Sequence, residues 1–285
     1  TNRIPTERYT ERQNMMNGSG LALGDFDGDG WCDLYCCNKE GPNALYRNLG
    51  NWKFENVTER AGVSCTNQAS TGATFADING DGRLDLLVSS FAGPDACFLN
   101  LGSGRFTNIT AAAGIVSKGG TTSLALGDID GDGDLDLYVC HFGMEAILRD
   151  GGTYAIRTVN GKPVVAGRYA KRLAIVGDRI IEFGEPDVLY RNDGQGRFTP
   201  VEWKETFRDE KGQPMAPTPD FGLAVQIRDI NADGFPDIYV CNDFQTPDRL
   251  WLNDGRGHFR APESLALRNM SYASMGVDFA DIDRD

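Results

Sequence analysis

The sequence predicts an all-β fold, a β-propeller built from four-stranded blades. Three observations predict it: an aspartate-rich loop that recurs along the chain, a second marker that recurs in phase with it, and short strand patterns around both. Repeats of about 50 residues are typical of propellers and related repeat folds, in which each repeat is one supersecondary unit. Apolar patterns with a helical period are missing over any useful length.

The aspartate-rich loop appears first at residues 25–33, with the sequence DFDGDGWCD. It returns as DINGDGRLD at 77–85, as DIDGDGDLD at 128–136 and as DINADGFPD at 229–237. A fifth copy, DIDRD, occupies 281–285. Three of the intervals between loop starts are 51 or 52 residues and one is 101, so the chain carries a regular repeat with one long unit.

A second marker recurs in the same phase, as GPNALYRN, GPDACFLN, EPDVLYRN and TPDRLWLN. Its spacing shows that the long unit is one repeat with about 41 extra residues before Pro186 and about 9 after it. The sequence therefore predicts a lead-in at 1–17, propeller repeats at 18–285 and an insert at about 143–185.

Each repeat shows four strand signals. An apolar strand such as LALGDF leads into the loop, and a second strand such as DLYCCN follows it. A third strand such as ALYRN is joined by a Gly turn to a fourth, and turns of this kind tolerate the positive φ that hairpins need. Four antiparallel strands in about 50 residues make one propeller blade. The chain would hold four full blades and the start of a fifth.

The loop composition predicts calcium binding. Side-chain oxygens occur at positions 1, 3, 5 and 9 of every complete loop, the position-7 carbonyl would point the same way, and position 6 is always Gly, which permits a sharp bend. Ca²⁺ takes such oxygen ligands, whereas soft metals would need His or Cys. One such loop could be a solvated acidic turn, but four copies in phase favour calcium. An EF-hand would need Glu at position 12 and flanking helices, and position 12 here is Cys36, Val88, Val139 or Val240.

The units FADINGDGRLDLLVSS and LGDIDGDGDLDLYVCH resemble the FG-GAP/VCBS repeats of integrin α-chain propellers. The added GPN-LYRN and GRFTNIT elements resemble the cartilage acidic protein (ASPIC/UnbV) group and its bacterial relatives. The resemblance covers about residues 18–285 apart from the insert. It implies a seven-bladed propeller with about one Ca²⁺ per blade, in the loop between the first two strands. Because four and a half blades do not close such a ring, we expect a fragment of a longer protein, or the ordered part of one.

The resemblance, carried over position by position, implies side-chain calcium ligands in every complete loop: Asp25, Asp27, Asp29, Asp33, Asp77, Asn79, Asp81, Asp85, Asp128, Asp130, Asp132, Asp136, Asp229, Asn231, Asp233 and Asp237. The position-7 carbonyl would come from Trp31, Arg83, Asp134 and Phe235. In the fifth copy Asp281, Asp283 and Asp285 match positions 1, 3 and 5. The departures are Ala232, where the other complete loops have Gly, and Pro236 before the last ligand, and neither removes an oxygen.

The composition excludes some partners and leaves the cysteines a structural role. The net charge of −13 argues against nucleic acid and against an anionic membrane, and no run of 18 apolar residues could span a bilayer. Seven cysteines are too few for a disulfide scaffold. Cys37, Cys140 and Cys241 share one repeat position, which favours buried thiols over disulfides, and no bridge is predicted.

The order of the strands divides the connections between two faces. The calcium loops and the Gly turns share one face, and the insert shares the other with the extension near 204–218. The insert is expected to form hairpins at RTVNGKPVV and LAIVGDRIIEF. Its basic residues leave two interpretations open, a solvated hairpin or a surface for an anionic partner or glycan; they are Lys162, Arg168, Lys171, Arg172 and Arg179.

Catalysis has little support in the sequence. His258 lies in a Gly turn where other repeats have Lys or Arg, and it is interpreted as a solvent-exposed variant. His141 follows a second strand next to the insert and could line the open face, although a single His there is more often structural. No nucleophile–base pairing or phosphate loop is evident. Sequons occur at Asn17, Asn56, Asn108 and Asn269, and repeat consensus explains the middle two as well as glycosylation does.

These observations predict a calcium-stabilised propeller that acts as a binding, adhesion or assembly module in an extracellular, cell-surface or periplasmic setting. A protein or glycan partner would bind the face opposite the calcium loops. One alternative is a polysaccharide lyase or hydrolase on the same scaffold. Another is a subunit of a large extracellular complex. Fold alone does not choose among them, because propellers have many functions.

Overall fold

The computed structural model describes residues 7, 18–117, 119–243, 246–263, 271 and 273–282. Apart from Glu7, the predicted lead-in at 1–17 therefore lies outside the described residues. Within the described residues the secondary structure is almost entirely strand and turn, which confirms the predicted all-β class.

The repeats form four sheets, named sheets 1 to 4 in chain order, and consecutive strands pair antiparallel in each. Sheet 1 contains β1 (Leu21–Gly24), β2 (Asp33–Cys36), β3 (Ala44–Asn48) and β4 (Phe54–Asn56), and the one-turn helix α1 (Thr58–Ala61) follows it. Sheet 2 contains β5 (Ala69–Ala76), β6 (Asp85–Ala92), β7 (Ala96–Asn100) and β8 (Phe106–Asn108). Sheet 3 contains β9 (Thr121–Gly127), β10 (Asp136–His141), β15 (Val188–Asn192) and β16 (Phe198–Pro200). Sheet 4 contains β18 (Gly222–Arg228), β19 (Asp237–Asn242), β20 (Arg249–Asn253) and β21 (Phe259–Arg260).

The insert contributes the two hairpins that its sequence predicts. One pairs β11 (Ala155–Val159) with β12 (Lys162–Ala166), and the other pairs β13 (Leu173–Val176) with β14 (Arg179–Glu182). The first turn has positive φ at both central residues, 50° at Asn160 and 76° at Gly161, as a type I′ turn requires.

The extension after sheet 3 adds a strand that its pattern did not predict. Helix α2 (Trp203–Thr206) leads directly into β17 (Phe207–Arg208), which pairs parallel with β21 at the outer edge of sheet 4. Phe207 is fully buried and stacks on Trp203, with ring centroids 4.0 Å apart, and on Phe259 at 5.3 Å. This aromatic contact area is large enough to hold a two-residue strand at a sheet edge.

The core lies between consecutive sheets in three apolar clusters, which join sheets 1 and 2, sheets 2 and 3, and sheets 3 and 4. Neighbouring residues of one strand supply opposite clusters, as the two-residue period of a strand requires. On β6, Leu86 packs towards sheet 1 and Leu87 towards sheet 3. On β10, Leu137 packs towards sheet 2 and Tyr138 towards sheet 4. Each inner sheet is therefore covered on both faces.

The first strands of successive sheets lie beside one another. Thr71 of β5 donates from Oγ1 to the carbonyl of Thr121 at 2.8 Å, and Thr122 of β9 donates from Oγ1 to the carbonyl of Gly222 at 2.8 Å. The backbone N–H of Gly20 donates to the carbonyl of Thr71 at 2.6 Å. These bonds join the four sheets at one side of each.

The seven cysteines are free thiols, and those at the shared repeat position, Cys37, Cys140 and Cys241, are buried as that position predicted. Burial raises the pKa of Cys37 to about 12, which makes its thiolate scarce and its reactivity low. Among the described residues, no helix has the length and apolar character needed to cross a membrane.

Candidate metal-binding loops

Each complete aspartate-rich loop joins the first and second strands of its sheet, so the four loops lie at the same edge of successive sheets. They are called loops 1 to 4, for residues 25–33, 77–85, 128–136 and 229–237. The Gly turns between the third and fourth strands lie at this edge too. Gly50, for example, lies so close to Trp31 of loop 1 that an added Cβ would be 3.3 Å from the Trp31 ring. We call it the loop edge.

The aspartate at position 1 folds each loop around its own carboxylate. In loop 1, Asp25 Oδ1 accepts from the N–H of Gly28 and Asp25 Oδ2 accepts from the N–H of Gly30, both at 2.8 Å. Asp77 and Asp128 hold positions 4 and 6 of their loops in the same way. In loop 4 the matching aspartate accepts from positions 5 and 6. These bonds draw the following backbone into a tight turn.

Two positions in each loop require a left-handed backbone. Position 4 has φ of 74° in loop 1, 72° in loop 2 and 78° in loop 3, and position 6 has φ between 80° and 94° in all four loops. Glycine adopts such angles without steric cost. The departure noted in the sequence, Ala232, lies at position 4 of loop 4 and has φ of 60°. Loop 4 therefore keeps the loop conformation with a strained residue.

Positions 1, 3 and 5 bring their carboxylates together. One oxygen from each of Asp25, Asp27 and Asp29 lies within 4.8 Å of the others, and the same holds for the matching three residues of loop 3. Oδ1 of Asp27 and Oδ1 of Asp130 are buried and have no hydrogen-bond partner. A buried oxygen without a partner is costly unless a cation satisfies it. The residues of loops 1 and 3 therefore fit a hard, oxygen-seeking divalent cation such as Ca²⁺.

In loops 2 and 4 asparagine replaces the aspartate at position 3. Asn79 Oδ1 accepts from the N–H of Asp81 at 3.2 Å, and Asn79 Nδ2 donates to Asp81 Oδ2 at 3.0 Å. Asn231 and Asp233 make the same two contacts at 3.0 and 2.9 Å. An amide oxygen is a suitable ligand for Ca²⁺, so these loops offer the same donor class with one carboxylate fewer.

The aspartate at position 9 stands apart from these clusters. It is buried in all four loops, and Asp85 shows its role: Oδ2 accepts from the N–H of Ile78 at 3.1 Å, and Oδ1 accepts from the N–H of Asn100 at 2.7 Å. Burial raises the pKa of Asp85 and of Asp136 to about 6. Both oxygens of this residue thus join the loop to the third strand, and its assignment as a calcium ligand remains a prediction.

The position-7 residues contact the Gly turns through their side chains. Besides the Trp31 ring near Gly50, a Cβ on Gly255 would meet the Phe235 ring at 2.4 Å. These contacts fix the turn beside each loop. The role predicted for the position-7 carbonyls remains a prediction for all four residues: Trp31, Arg83, Asp134 and Phe235.

In sheets 2 to 4 an asparagine at the end of the third strand joins the sheet to the one before it. Asn100 Nδ2 donates to the carbonyl of Phe26 in loop 1 at 2.8 Å and to the carbonyl of Leu84 in loop 2 at 2.9 Å. Asn192 and Asn253 make the equivalent bonds between loops 2 and 3 and between loops 3 and 4. The folding of one loop is therefore linked to the docking of the next sheet. The sequence marker contained this asparagine, but spacing alone did not reveal its partners.

Two arginines reach into the clusters. Arg47 Nε lies 2.5 Å from Asp27 Oδ2 and Arg47 Nη2 lies 2.8 Å from Asp29 Oδ2. Arg191 Nη1 lies 2.6 Å from Asp130 Oδ2 in loop 3. The nearby carboxylates raise the pKa of Arg47 further, through its hydrogen bond to Asp29 first. Of the predicted ligands in the fifth copy of the loop, only Asp281 is described, and it is exposed. Asp283 and Asp285 lie outside the described residues.

The opposite edge of each sheet is closed by a buried Asn or Asp that belongs to the second repeat marker. The residue is Asn43, Asp95, Asp187 or Asp248, and its Oδ1 accepts from the backbone N–H at the end of the second strand at 2.7 to 2.8 Å. Tyr138 OH donates to the second oxygen of Asp187 at 2.9 Å. Burial raises the pKa of Asp187 to about 7. The recurrence of Asn or Asp in this marker was the signal that could have identified it.

The two histidines occupy different settings. His258 is exposed, and its Nδ1 lies 3.2 Å from Asp254 Oδ2, which confirms it as a solvent-exposed variant of the Gly turn. His141 is buried, and its Nδ1 has no hydrogen-bond partner. Burial lowers the pKa of His141 to about 4, so its ring is neutral at physiological pH. This setting supports a structural role for His141.

The basic surface expected on the insert is smaller than its sequence suggested. Arg172 turns inward, where Nε donates to the carbonyl of Phe183 at 2.5 Å and Nη1 lies 3.1 Å from Glu185 Oε1. Arg168 is exposed but lies 3.8 Å from Glu145 Oε1. The remaining basic residues of that set are exposed: Lys162, Lys171 and Arg179.

Two of the four sequons can be placed. Asn56 and Asn108 are exposed, and each side-chain oxygen accepts from the N–H two residues later, at 3.1 and 2.9 Å. This shared capping bond accounts for their recurrence at one repeat position. Asn17 and Asn269 lie outside the described residues.

Comparison with known proteins gives one family match. The family described as FG-GAP-like repeat matches residues 25–88, 77–139 and 229–285. These segments include every aspartate-rich loop and leave out the insert and the extension.

Curated relatives and solved structures were also found. Cartilage acidic protein 1 of Mus musculus is 27% identical over 151 residues, which is 52% of this chain and 23% of that protein. The Xenopus tropicalis protein of the same name is 31% identical over 124 residues, 42% of this chain and 19% of that protein. The chain thus spans less than a quarter of the length of these relatives.

Among solved structures, an Agrocybe aegerita lectin that recognises non-reducing terminal N-acetylglucosamine is 20% identical, with a TM-score of 0.33, over 83% of this chain and 63% of that chain. The V. cholerae biofilm matrix protein Bap1 is 15% identical, with a TM-score of 0.34, over 84% of this chain and 38% of that chain.

Proposed function

The chain belongs to the family of FG-GAP-like repeat proteins, and from this premise we propose that it is a calcium-stabilised β-propeller segment that acts outside the cytoplasm as an interaction module. The four sheets would be consecutive blades, since each contains one repeat and packs its neighbours through the three core clusters. The seven-bladed ring expected from the family resemblance would need further repeats.

The observation that carries the calcium proposal is the pair of unpartnered oxygens, Asp27 Oδ1 and Asp130 Oδ1. Each is buried in a cluster of carboxylates in which most of the other oxygens accept loop N–H groups or contact an arginine. No protein donor satisfies these two atoms in the described residues. A bound Ca²⁺ would supply the missing positive charge. The loop residues themselves would hold it, through positions 1, 3 and 5, while position 9 ties the loop to the third strand.

The proposed location follows from the same chemistry and from the relatives. Loop sites of this kind fill where Ca²⁺ is near millimolar, as it is outside cells. Cartilage acidic protein 1, which matches about half of this chain, is named for cartilage, a tissue that is mostly extracellular matrix. An extracellular, cell-surface or periplasmic setting therefore suits the protein.

Removal of calcium tests the central proposal. A ligand at 100 times its Kd stabilises the folded state by about 2.7 kcal/mol for each site. With two or more sites filled, excess chelator is expected to lower the unfolding free energy by about 5 kcal/mol or more. Thermal unfolding followed by circular dichroism, with calcium, with chelator and after calcium is restored, measures this change. Magnesium at the same concentration serves as the control, because it demands a stricter octahedral site. An unchanged Tm in chelator would contradict the proposal.

For the interaction surface we propose the first insert hairpin and a protein partner with an acidic face. Val159 and Val164 lie on one side of the hairpin with Arg157 and Lys162, as the strand register requires. All four are exposed, and the two valines are 51% and 38% accessible. Aliphatic side chains beside cations favour an acidic protein surface over a glycan, which aromatic side chains would bind better.

Substitution on this hairpin tests the surface. Val159→Glu replaces an exposed aliphatic side chain of the proposed surface by an acidic one. Leu101→Glu is the matched control, because Leu101 is also exposed but adjoins a Gly turn at the loop edge. The experiment is quantitative affinity capture from the extracellular fraction of the source organism, followed by rebinding of the purified candidate. A partner retained by the wild type and the control, and lost with Val159→Glu, is expected. Equal retention by all three proteins would exclude the hairpin as the surface.

A further inference from the structure

Two kinds of aspartate-rich loop alternate along the chain. Position 3 is aspartate in loops 1 and 3 and asparagine in loops 2 and 4. The third-strand residue before the bridging asparagine alternates in the same way, with arginine beside the aspartate loops and leucine beside the asparagine loops. The matched pairs are Asp27 with Arg47, Asn79 with Leu99, Asp130 with Arg191, and Asn231 with Leu252.

The structure shows what the arginine does in loop 1. Its guanidinium spans two carboxylates, because Arg47 contacts Oδ2 of Asp27 and Oδ2 of Asp29 at 2.5 and 2.8 Å. The side chain of Arg47 is 33% exposed, so these contacts are only partly screened by water. Oδ1 of Asp27 stays buried and unpartnered.

In loop 3 the arginine also contacts the position-3 aspartate, but its second carboxylate lies at position 9 rather than position 5. Arg191 Nη1 contacts Oδ2 of Asp130 at 2.6 Å and Oδ2 of Asp136 at 3.0 Å, and the Arg191 side chain is 27% exposed. Again the second oxygen of the position-3 aspartate, Asp130 Oδ1, is buried without a partner. Two loops that are about 100 residues apart in sequence thus share the arginine contact to the position-3 aspartate.

In loops 2 and 4 a residue of the loop itself reduces the repulsion among the ligand carboxylates. There the position-3 amide donates to Oδ2 of the position-5 aspartate, which in loop 1 accepts from Arg47 instead. Leu99 and Leu252 offer no donor. The four ligand positions and the third-strand residue together carry a formal charge of −3 in every loop. Position 7 does not follow this rule, and among the described residues Arg83 of loop 2 forms an ion pair with one ligand carboxylate, that of Asp81.

We propose that Arg47 and Arg191 are tethered counterions, which hold loops 1 and 3 together in the absence of calcium and lower the calcium affinity of those loops. This inference rests on the proposed calcium function. The guanidinium relieves repulsion among four carboxylates when no metal is bound, and it opposes a second cation by the same Coulomb interaction. Because the number of ligand charges tunes the affinity of calcium sites, the arginines keep the aspartate loops in the affinity range of the asparagine loops.

Loop 1 carries its own spectroscopic probe. Trp31 is position 7 of this loop, and the corresponding residues in the other complete loops are Arg83, Asp134 and Phe235. Tryptophan excitation sensitises the luminescence of a nearby Tb³⁺, a hard cation that occupies oxygen-ligand calcium sites. Because Trp251 pairs with Ile238, the residue after loop 4, the part of the Tb³⁺ signal that Trp31→Phe removes is assigned to loop 1, and its displacement by Ca²⁺ measures the calcium affinity of that loop within the whole chain.

The experiment compares Arg47→Leu, the residue that loops 2 and 4 use, with the double variant Asp27→Asn/Arg47→Leu, which gives loop 1 the chemistry of loop 2. Arg60→Leu is the control for the loss of a surface cation, because Arg60 lies on α1 and its only ion pair among the described residues is a 3.8 Å contact with Glu55. Calcium affinity is read from Tb³⁺ displacement, and calcium-free stability from Tm in chelator. Arg47→Gln is the second single variant, for use if Arg47→Leu does not fold without calcium.

Arg47→Leu is expected to bind calcium at loop 1 about tenfold more tightly and to have a lower calcium-free Tm. The double variant is expected to return both quantities towards the wild type, and the control to change neither. Unchanged or weaker calcium binding by both single variants would overturn the proposal, as would a double variant that stays as tight as Arg47→Leu. If the wild type binds neither Tb³⁺ nor Ca²⁺, the proposed calcium function itself fails, and the proposal with it.

Discussion

At both edges of each sheet a buried Asp or Asn side chain accepts hydrogen bonds, but the two edges carry very different charge. At the loop edge of sheet 2, Asp85 accepts from the backbone N–H groups of Ile78 and Asn100. At the opposite edge, Asp95 accepts from the backbone N–H of Ser90 and the hydroxyl of Thr121. Each edge of sheet 2 thus has one buried carboxyl group with a donor on both oxygens.

The difference lies in what surrounds that group. At the opposite edge of sheet 2, the turn at 93–95 has no carboxylate besides Asp95, whereas the loop edge adds the residues at positions 1, 3 and 5 of loop 2. Hydrogen bonds alone therefore complete the opposite edge of sheet 2, whereas under the proposed function the loop edge also takes a cation. Calcium removal is expected to destabilise the loop edge. Substitutions at the opposite edge are expected to change the stability of the protein to the same extent with and without calcium.

The largest effect that separates the edges is expected from Asp187→Asn at the opposite edge of sheet 3. Burial is the main reason why the pKa of Asp187 is raised from 3.8 to about 7. The hydrogen bonds from the His141 N–H and the Tyr138 hydroxyl lower this pKa but do not cancel the rise. Between these two pKa values the folded protein holds a proton that the unfolded chain has lost. Stability from this group is therefore present below about pH 4 and is lost as the pH rises towards 7. Asparagine has no such titration, and Asn43 fills the equivalent site in sheet 1.

In saturating calcium, Asp187→Asn is expected to be about 2 kcal/mol more stable than the wild type at pH 8, with the gain shrinking towards pH 5. Urea unfolding at several pH values measures the difference. His141 is present in both proteins, so its own titration cancels. Asp178→Asn, in an exposed hairpin turn, controls for the loss of one charge. A gain that is the same at pH 5 and pH 8 would show that the Asp187 carboxyl does not titrate in this range.

The repeat spacing was sufficient to predict the elements that each unit contains. Short-range patterns decide them, because an apolar run, an aspartate-rich turn and a second apolar run are consecutive in sequence. Asp25 and Gly28 show this, since they are three residues apart and their hydrogen bond closes the turn. The insert hairpins were predicted on the same basis, from Asn160-Gly161 and its neighbours.

The contacts that the sequence did not reveal are long-range. Arg47 lies 18 residues from Asp29, and the two meet only when the third strand folds beside the first two. Asp187 meets His141 across 46 residues that include the insert. Strand β17 is placed by aromatic stacking on sheet 4, for which two residues of sequence give no signal. In each case the residue types were visible and their partners depended on the tertiary fold.

The smallest expected effect comes from a substitution at the loop edge that changes no predicted calcium ligand. Ala232 at position 4 of loop 4 has φ of 60°, where glycine has φ of 72° at Gly80 in loop 2. A side chain in this conformation costs about 1 kcal/mol, so Ala232→Gly is expected to stabilise the protein by about that amount. Gly80→Ala is the matched reverse change, because its added Cβ would meet no atom within 4 Å and only the backbone strain remains. It is expected to destabilise the protein by about 1 kcal/mol. Urea unfolding in saturating calcium measures both. If the two substitutions shift stability in the same direction, position 4 does not hold a left-handed backbone in both loops.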